Sequence, residues 1–210
     1  MSEFRRRLMM QKAGGYEIVD HILTNGLAYI DTGYFVNPNT EVEMDCKVGV
    51  RSIQHGGNVF FGAADGELNY AFNHGATGSD NLVQADCFFW CPKSYASGAA
   101  IKSLYMTFNK QMLVGIRKLN GVWNGFCDTA NVNLVGAPQS MSTTLLLLCS
   151  PAKGIPYNLD NPLTLYSFKI TENGEVIKHF LPAKKGDIYG MAEIIEGKFY
   201  ASPNGESFDY

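Results

Sequence analysis

The sequence predicts an all-β fold, an antiparallel sandwich of two stacked sheets, and three observations carry that expectation. The first is strict alternation. In TEVEMDCKV the apolar Val42, Met44, Cys46 and Val48 fall on one face and the charged Glu41, Glu43, Asp45 and Lys47 on the other, the period of a half-buried strand. The second is turn chemistry: Asn25-Gly26, Asn120-Gly121 and Asn173-Gly174 each separate two extended runs, and Asn-Gly supplies the positive φ angles that a tight hairpin demands. The third is composition, with 22 glycines, 13 phenylalanines and 11 tyrosines but no alternation of strand-like and helix-like segments, which favours many short strands joined by turns.

The elements follow in chain order. EIVDHIL and LAYIDTGY are extended runs on either side of Asn25-Gly26, and TEVEMDCKV comes next. NVFFGAA, LNYAFN, DCFFWC and SLYMTF alternate with glycine-rich stretches, RSIQHGGN and NHGATGSDN among them. QMLVGIRKL and VWNGFCD flank Asn120-Gly121 as a hairpin. TTLLLLC, with Leu145 to Leu148 at its centre, is bounded by Ser142 and by Ser150-Pro151, so it reads as a short buried strand and is far too short for a membrane span. The loop PAKGIPYNLDNP precedes a second hairpin, LTLYSFKIT and EVIKHFL around Asn173-Gly174, and GKFYA closes the series. About a dozen strands result, with turn signals at the spacing of a sandwich. The three loop-rich stretches gather at its ends or over one face, where function concentrates.

The chain has 210 residues, 46% hydrophobic and 18% charged, enough to bury one large core. Its net charge of -3 gives no reason to expect a nucleic-acid partner. That average hides an asymmetry. Arg5, Arg6, Arg7 and Lys12 against Glu3 give residues 1 to 12 a net +3, leaving -6 for the remainder. We divide the chain at Ala13-Gly14-Gly15 into a basic arm, residues 1–15, and one domain, residues 16–210. Leu8-Met9-Met10 is too short for the apolar part of a secretory signal. The arm reads instead as an anchor: Arg5, Arg6 and Arg7 pair with carboxylates while Phe4, Leu8, Met9 and Met10 fill an apolar groove on a neighbouring subunit, which implies a homo-oligomer or larger assembly.

Five cysteines, Cys46, Cys87, Cys91, Cys127 and Cys149, are an odd number, most in apolar stretches. They read as buried thiols from a reducing compartment. Cys87 and Cys91 match no zinc spacing, and no metal or other cofactor is expected from them.

The YIDTG motif at Tyr29 to Gly33, the Asn-Gly turn followed by Phe180 and Pro182, and GKFY at Gly197 to Tyr200 resemble the opening and closing pattern of LamG-like, concanavalin A-like jelly-roll domains of gut bacteria and their phages. Where such relatives carry Leu-Tyr-Asp before the last motif, this chain has YGMAEIIE, Tyr189 to Glu196. The opening FRRRLMM resembles the start of short proteins from phages and prophages of the Bacteroides group. The resemblance implies a jelly-roll domain from about residue 16 to 210 and a virion component, a fibre, tail or decoration protein. Some of these domains carry a calcium site, to which Asp80 and Asn81 could contribute oxygens, but the sequence offers no recognised calcium loop and an Asx-rich turn is the better explanation of Ser79-Asp80-Asn81.

Three kinds of chemistry can be weighed on the residues. Glu41, Glu43 and Asp45 stand at i, i+2 and i+4 of one strand, as catalytic acids do in some glucanases of this superfamily. Neighbours in such a row lie about 6.6 to 7 Å apart, whereas a retaining glycosidase wants its pair about 5 to 5.5 Å apart, and the order Glu-Glu-Asp reverses the pattern of those enzymes. An acidic solvent face is the reading adopted. His21 and His179 lie within strands and read as structural; His55 and His74 lie in glycine-rich loops with no nucleophile context. Sugar binding is better supplied: aromatic platforms at Trp123, Tyr95 and Trp90, the last read as core, with Asp80, Asn81, Asn124, Asp128 and Asn131 as polar partners.

The expectation is therefore a non-catalytic adhesion or structural module that binds cell-surface glycans, carried on a virion by its arm and folded in the bacterial cytoplasm. A glycoside hydrolase, and a decoration protein that binds no sugar, are the alternatives.

Overall fold

A computed structural model describes residues 14–24, 26–49, 58–65, 68–75, 84–90, 104–134, 136–149, 151–152, 155–156 and 162–210. The arm residues Phe4 to Met10, together with Cys91, His55, Asp80, Asn81 and Tyr95, lie outside them, as does the side chain of Trp90.

Eighteen strands are formed among the described residues. They are β1 (Glu17–Ile18), β2 (Ile22–Thr24), β3 (Ile30–Phe35), β4 (Thr40–Val48), β5 (Asn58–Asp65), β6 (Leu68–Gly75), β7 (Gln84–Trp90), β8 (Tyr105–Thr107) and β9 (Gln111–Leu119). The second half supplies β10 (Val122–Cys127), β11 (Ala130–Asn133), β12 (Thr144–Leu147), β13 (Pro151–Ala152), β14 (Ile155–Pro156), β15 (Leu163–Glu172), β16 (Glu175–Lys185), β17 (Ile188–Glu193) and β18 (Lys198–Tyr200). A ten-stranded sheet runs β11-β10-β9-β4-β15-β16-β17-β18, with β1 beside β16 and β2 beside β15; a six-stranded sheet runs β3-β12-β5-β6-β7-β8; and β13 pairs with β14. Neighbours are antiparallel, as in β4 with β15 and β5 with β6. The chain is an all-β antiparallel two-sheet sandwich. No helix among the described residues is long and apolar enough to cross a membrane.

Alternation builds the core. Along β4, Val42, Met44, Cys46 and Val48 are all at most 1% exposed while Glu41, Glu43, Asp45 and Lys47 stay partly exposed. From the same sheet Phe168, Ile170 and Phe180 point inward, and from the other Phe61, Phe72, Phe89, Leu145 and Leu147 meet them. Rings carry the contact across the layers: Phe61 lies 5.9 Å from Phe168, and Phe72 stacks between Phe60 and Phe89 at 4.7 Å on each side. Each such buried ring contributes about 1.5–3 kcal/mol. Gly125 of β10 leaves the space that Phe89 fills, since a Cβ there would lie 2.5 Å from that ring.

Two of the three Asn-Gly turns are hairpins. Asn120 and Gly121 (φ 50° and 82°) join β9 to β10, and Asn173 and Gly174 (φ 51° and 82°) join β15 to β16. The third, Asn25-Gly26, does not separate paired strands, and Asn25 lies outside the described residues. β2 pairs with β15 and β3 with β12, in different sheets, and the Gly26 N–H is taken by the Thr24 hydroxyl at 3.0 Å. EIVDHIL also departs from the single run expected, splitting at Val19–His21 into β1 and β2 on different neighbours. β11, β13, β14 and β17 were not anticipated.

YIDTG, which carries part of the family resemblance, and YGMAEIIE, where the chain departs from it, both have local tasks. In YIDTG, four steps of β3 from Asp31 to Phe35 oppose only two of β12 from Leu146 to Thr144. The excess forms a bulge, with Gly33 at φ 64°, a conformation that strains any residue with a Cβ. The Leu145 carbonyl accepts a hydrogen bond from the Thr32 hydroxyl at 2.6 Å. In YGMAEIIE, the fully buried Glu193 accepts backbone N–H groups of His179, Ile195 and Glu196 at 3.0, 2.9 and 2.6 Å, closing the turn into β18.

Glu193→Ala leaves those three N–H groups without their acceptor. The expected loss is about 3 kcal/mol, or roughly 10 °C in thermal midpoint, measurable by urea and thermal unfolding, while Glu196→Ala at the exposed end of the same turn costs far less.

Candidate functional site

The outward face of the ten-stranded sheet is polar and ordered by register. Glu41, Glu43 and Asp45 of β4 stand opposite Thr171, Lys169 and Ser167 of β15. On the other flank Glu43 faces Gly115, Asp45 faces Leu113 and Lys47 faces Gln111, all from β9. Lys169 Nζ lies 3.0 Å from Glu43 Oε1, and Gln111 Nε2 donates to both Asp45 oxygens at 2.9 Å. His179 of β16 stands beyond Lys169 in the next strand.

The segment from Ile18 to Asp20 crosses from β1, beside β16, to β2, beside β15, and is held by the Val19 N–H on the Pro182 carbonyl at 3.0 Å. Beside it lies a cleft of about 550 Å³, lined by Asp20, Asp45, Tyr166, Ser167, Lys169 and His179 with apolar contributions from Ile18 and Leu181. The Tyr166 ring is steadied from behind by a run of aromatic contacts. His21 lies 6.0 Å from Tyr166 and stacks on Tyr210 at 5.0 Å, Tyr210 stacks on Tyr189 at 5.7 Å, and Lys184 Nζ sits 5.2 Å from the Tyr189 ring centre. Tyr16, Leu181, Ala183, Ala192 and Ile194 form a small second core.

Asp45 is held as a weaker acid than a free aspartate. Partial burial is the main cause, the like charges of Glu43 and Asp128 add to it, and Gln111 and Lys169 oppose it.

A second, smaller cleft of about 260 Å³ lies between the two Asn-Gly turns, lined by Asn39, Glu41, Lys118, Trp123 and Asn173. Trp123 is not an exposed platform: it is 8% exposed and belongs to the main core, with Lys118 Nζ 5.9 Å from its ring centre. Alternation along β10 sends Trp123, Gly125 and Cys127 inward, and only part of the indole reaches the cleft. Asn124 is 4% exposed and donates to the Val122 carbonyl at 2.8 Å. Asp128, at φ 52°, makes the turn into β11, and its carboxylate accepts Leu113 N–H at 2.9 Å and Lys110 Nζ at 2.7 Å. Burial works against its ionisation, but these two bonds prevail and hold Asp128 below the ordinary carboxylate range. Asn131 accepts from Arg117, whose guanidinium lies 4.3 Å from the Phe126 ring centre. The structure thus joins Trp123 to Glu41 in one cleft and leaves Asn124, Asp128 and Asn131 outside it.

Sequence reasoning passed over Tyr166 and Asp20, and read His21 and His179 as structural only. A signal for Tyr166 was present: Leu163, Leu165, Phe168 and Ile170 break the two-residue period after Leu165, and the register shifts between Leu165 and Ser167. A bulge there turns Tyr166 toward the cleft.

Among the described residues no group of three or more His, Cys, Asp or Glu side chains is placed to hold a metal ion, and Cys46, Cys87, Cys127 and Cys149 are buried free thiols. The chain matches no protein-family model. It likewise matches no curated protein. What fold and site define is an antiparallel two-sheet sandwich with a polar, aromatic-lined cleft on the outward face of its larger sheet.

Because the folded Asp45 carboxyl is the weaker acid, folding disfavours its ionised form, and the stability it contributes below the unfolded pKa is lost as pH rises through the raised folded value. Asp45→Asn is therefore expected to melt above the parent at neutral pH, with the difference closing in strong acid. A thermal-melt series across pH checks the sign.

Proposed function

We propose that this chain is a non-catalytic glycan-binding adhesion module on a concanavalin A-like jelly roll, carried on a larger particle, a phage virion, by its basic arm. The observation behind the binding reading is the outward cleft. A sugar offers an apolar ring face and a belt of hydroxyls, and is held by an aromatic ring with donors and acceptors beside it. Tyr166 supplies the ring, Asp20 and Asp45 the acceptors, and Ser167 a hydroxyl.

The dispersal of the acidic row supports a binding role over a catalytic one. Glu41 lines one cleft and Asp45 the other, four residues or roughly 13 Å apart along the strand, and Glu43 between them is engaged by Lys169. A glycoside hydrolase is the second reading, favoured by one observation: Asp20 shares the cleft with Asp45, whose weakened acidity suits a proton donor.

Charge and the FRRRLMM resemblance support the anchoring role. The arm carries +3 against -6 for the rest of the chain, and the residue that follows it, Tyr16, is 5% exposed and stacks on Phe199 at 6.3 Å, a firm point of attachment.

A glycan array on the purified chain tests the binding reading. Tyr166→Ala is expected to weaken any hit at least about tenfold, or 1.4 kcal/mol, with no change in melting beyond that of a surface substitution. Release of reducing ends from the bound glycan, abolished in Asp45→Asn, would replace this reading with the hydrolase. Deleting residues 1–13 is expected to leave the domain folded and to abolish incorporation into the particle, read by sedimentation of assembled material. Arm-dependent incorporation with no glycan hit would instead favour a decoration protein.

A further inference from the structure

We infer that the ligand is a linear oligosaccharide lying along β4 and spanning both clefts, not a single terminal sugar held in one. The inference rests on the glycan-binding reading and adds the shape of the ligand. Strand β4 presents an acceptor at every second residue, Glu41, Glu43 and Asp45, and β15 sets against them Thr171, Lys169 and Ser167. Each rung pairs a carboxylate with a hydroxyl or an ammonium, and the rungs repeat about every 6.6 to 7 Å. A polymer of hydroxylated rings offers donors and acceptors in the same repeating manner, whereas a single sugar can use only one rung.

The ends of the row agree with this. Asp45 opens into the larger cleft and Glu41 into the smaller, so the row runs from one concavity to the other, roughly 13 Å between the two end residues. An isolated site would need neither the second cleft nor the continuous polar row. The rung between them, Glu43 with Lys169, is closed by its own ion pair at 3.0 Å, and opposite it β9 carries Gly115, which adds no side chain to that side of the row.

Titration calorimetry with cello-, laminari- and chito-oligosaccharides, each from disaccharide to hexasaccharide, tests the inference. In the series that binds, affinity is expected to climb with chain length until both clefts are filled. Glu41→Gln and Lys118→Ala, both remote from Tyr166, are expected to weaken the hexasaccharide by about tenfold and leave the disaccharide unchanged, while Tyr166→Ala weakens both. Equal affinity for disaccharide and hexasaccharide, or indifference of the hexasaccharide to both remote variants, overturns the spanning ligand and leaves the single-cleft reading in place. Failure of every length in every series, together with a blank glycan array, overturns the glycan-binding reading itself.

Discussion

Strand β4 is the constraint on which the rest of the molecule depends. It lies between β9 and β15 in the larger sheet, and its two faces do different work in the same nine residues. One face places Val42, Met44, Cys46 and Val48 in the core, and the other holds the carboxylates that link the two clefts. A slip of one residue against either neighbour would send Glu41, Glu43 and Asp45 into the apolar layer and the aliphatic row into water. The cost of burying three charges without partners far exceeds the stability of a domain of this size, so the pairing register of β4 is secured by the same alternation that creates the site.

The outward face keeps its polarity at some cost. Asp45 is partly desolvated, and its neighbours Glu43 and Asp128 repel it. A carboxylate kept in such a position weakens the fold slightly. The segment from Ile18 to Asp20 lines the same cleft as Asp45. It is held by backbone pairing of β1 with β16 and of β2 with β15, and by the C-terminal segment, where Asp209 exchanges both backbone hydrogen bonds with Leu23 at 2.8 and 2.9 Å. The cleft is therefore assembled from both ends of the chain folded onto the middle of the larger sheet.

The residues that carry the family resemblance prove to be occupied with the backbone. Thr32 and Gly33 shape a bulge, and Asn173-Gly174 makes a hairpin. Such positions report how the chain turns and pairs, and they say nothing about a ligand. This is why the resemblance spoke to a sandwich and gave no help with Tyr166 or Asp20. Asn25-Gly26 shows the opposite limit. The dipeptide specifies a reversal of the chain, but whether the flanking strands pair with each other is decided by their competitors, and β15 and β12 win.

Alternation and Asn-Gly chemistry determined from the sequence alone that this is an antiparallel all-β chain, which face of β4 is buried, and where two hairpins turn, because each of these is set by residues within a few positions of one another. Tertiary structure decided the rest. Which strands become neighbours, and that Asp20 and Asp45 meet Tyr166 and His179 in one cleft, depend on contacts between segments distant in the chain, more than a hundred residues in the case of the cleft. No local pattern encodes those distances; only the closing of two sheets over a shared core brings them about.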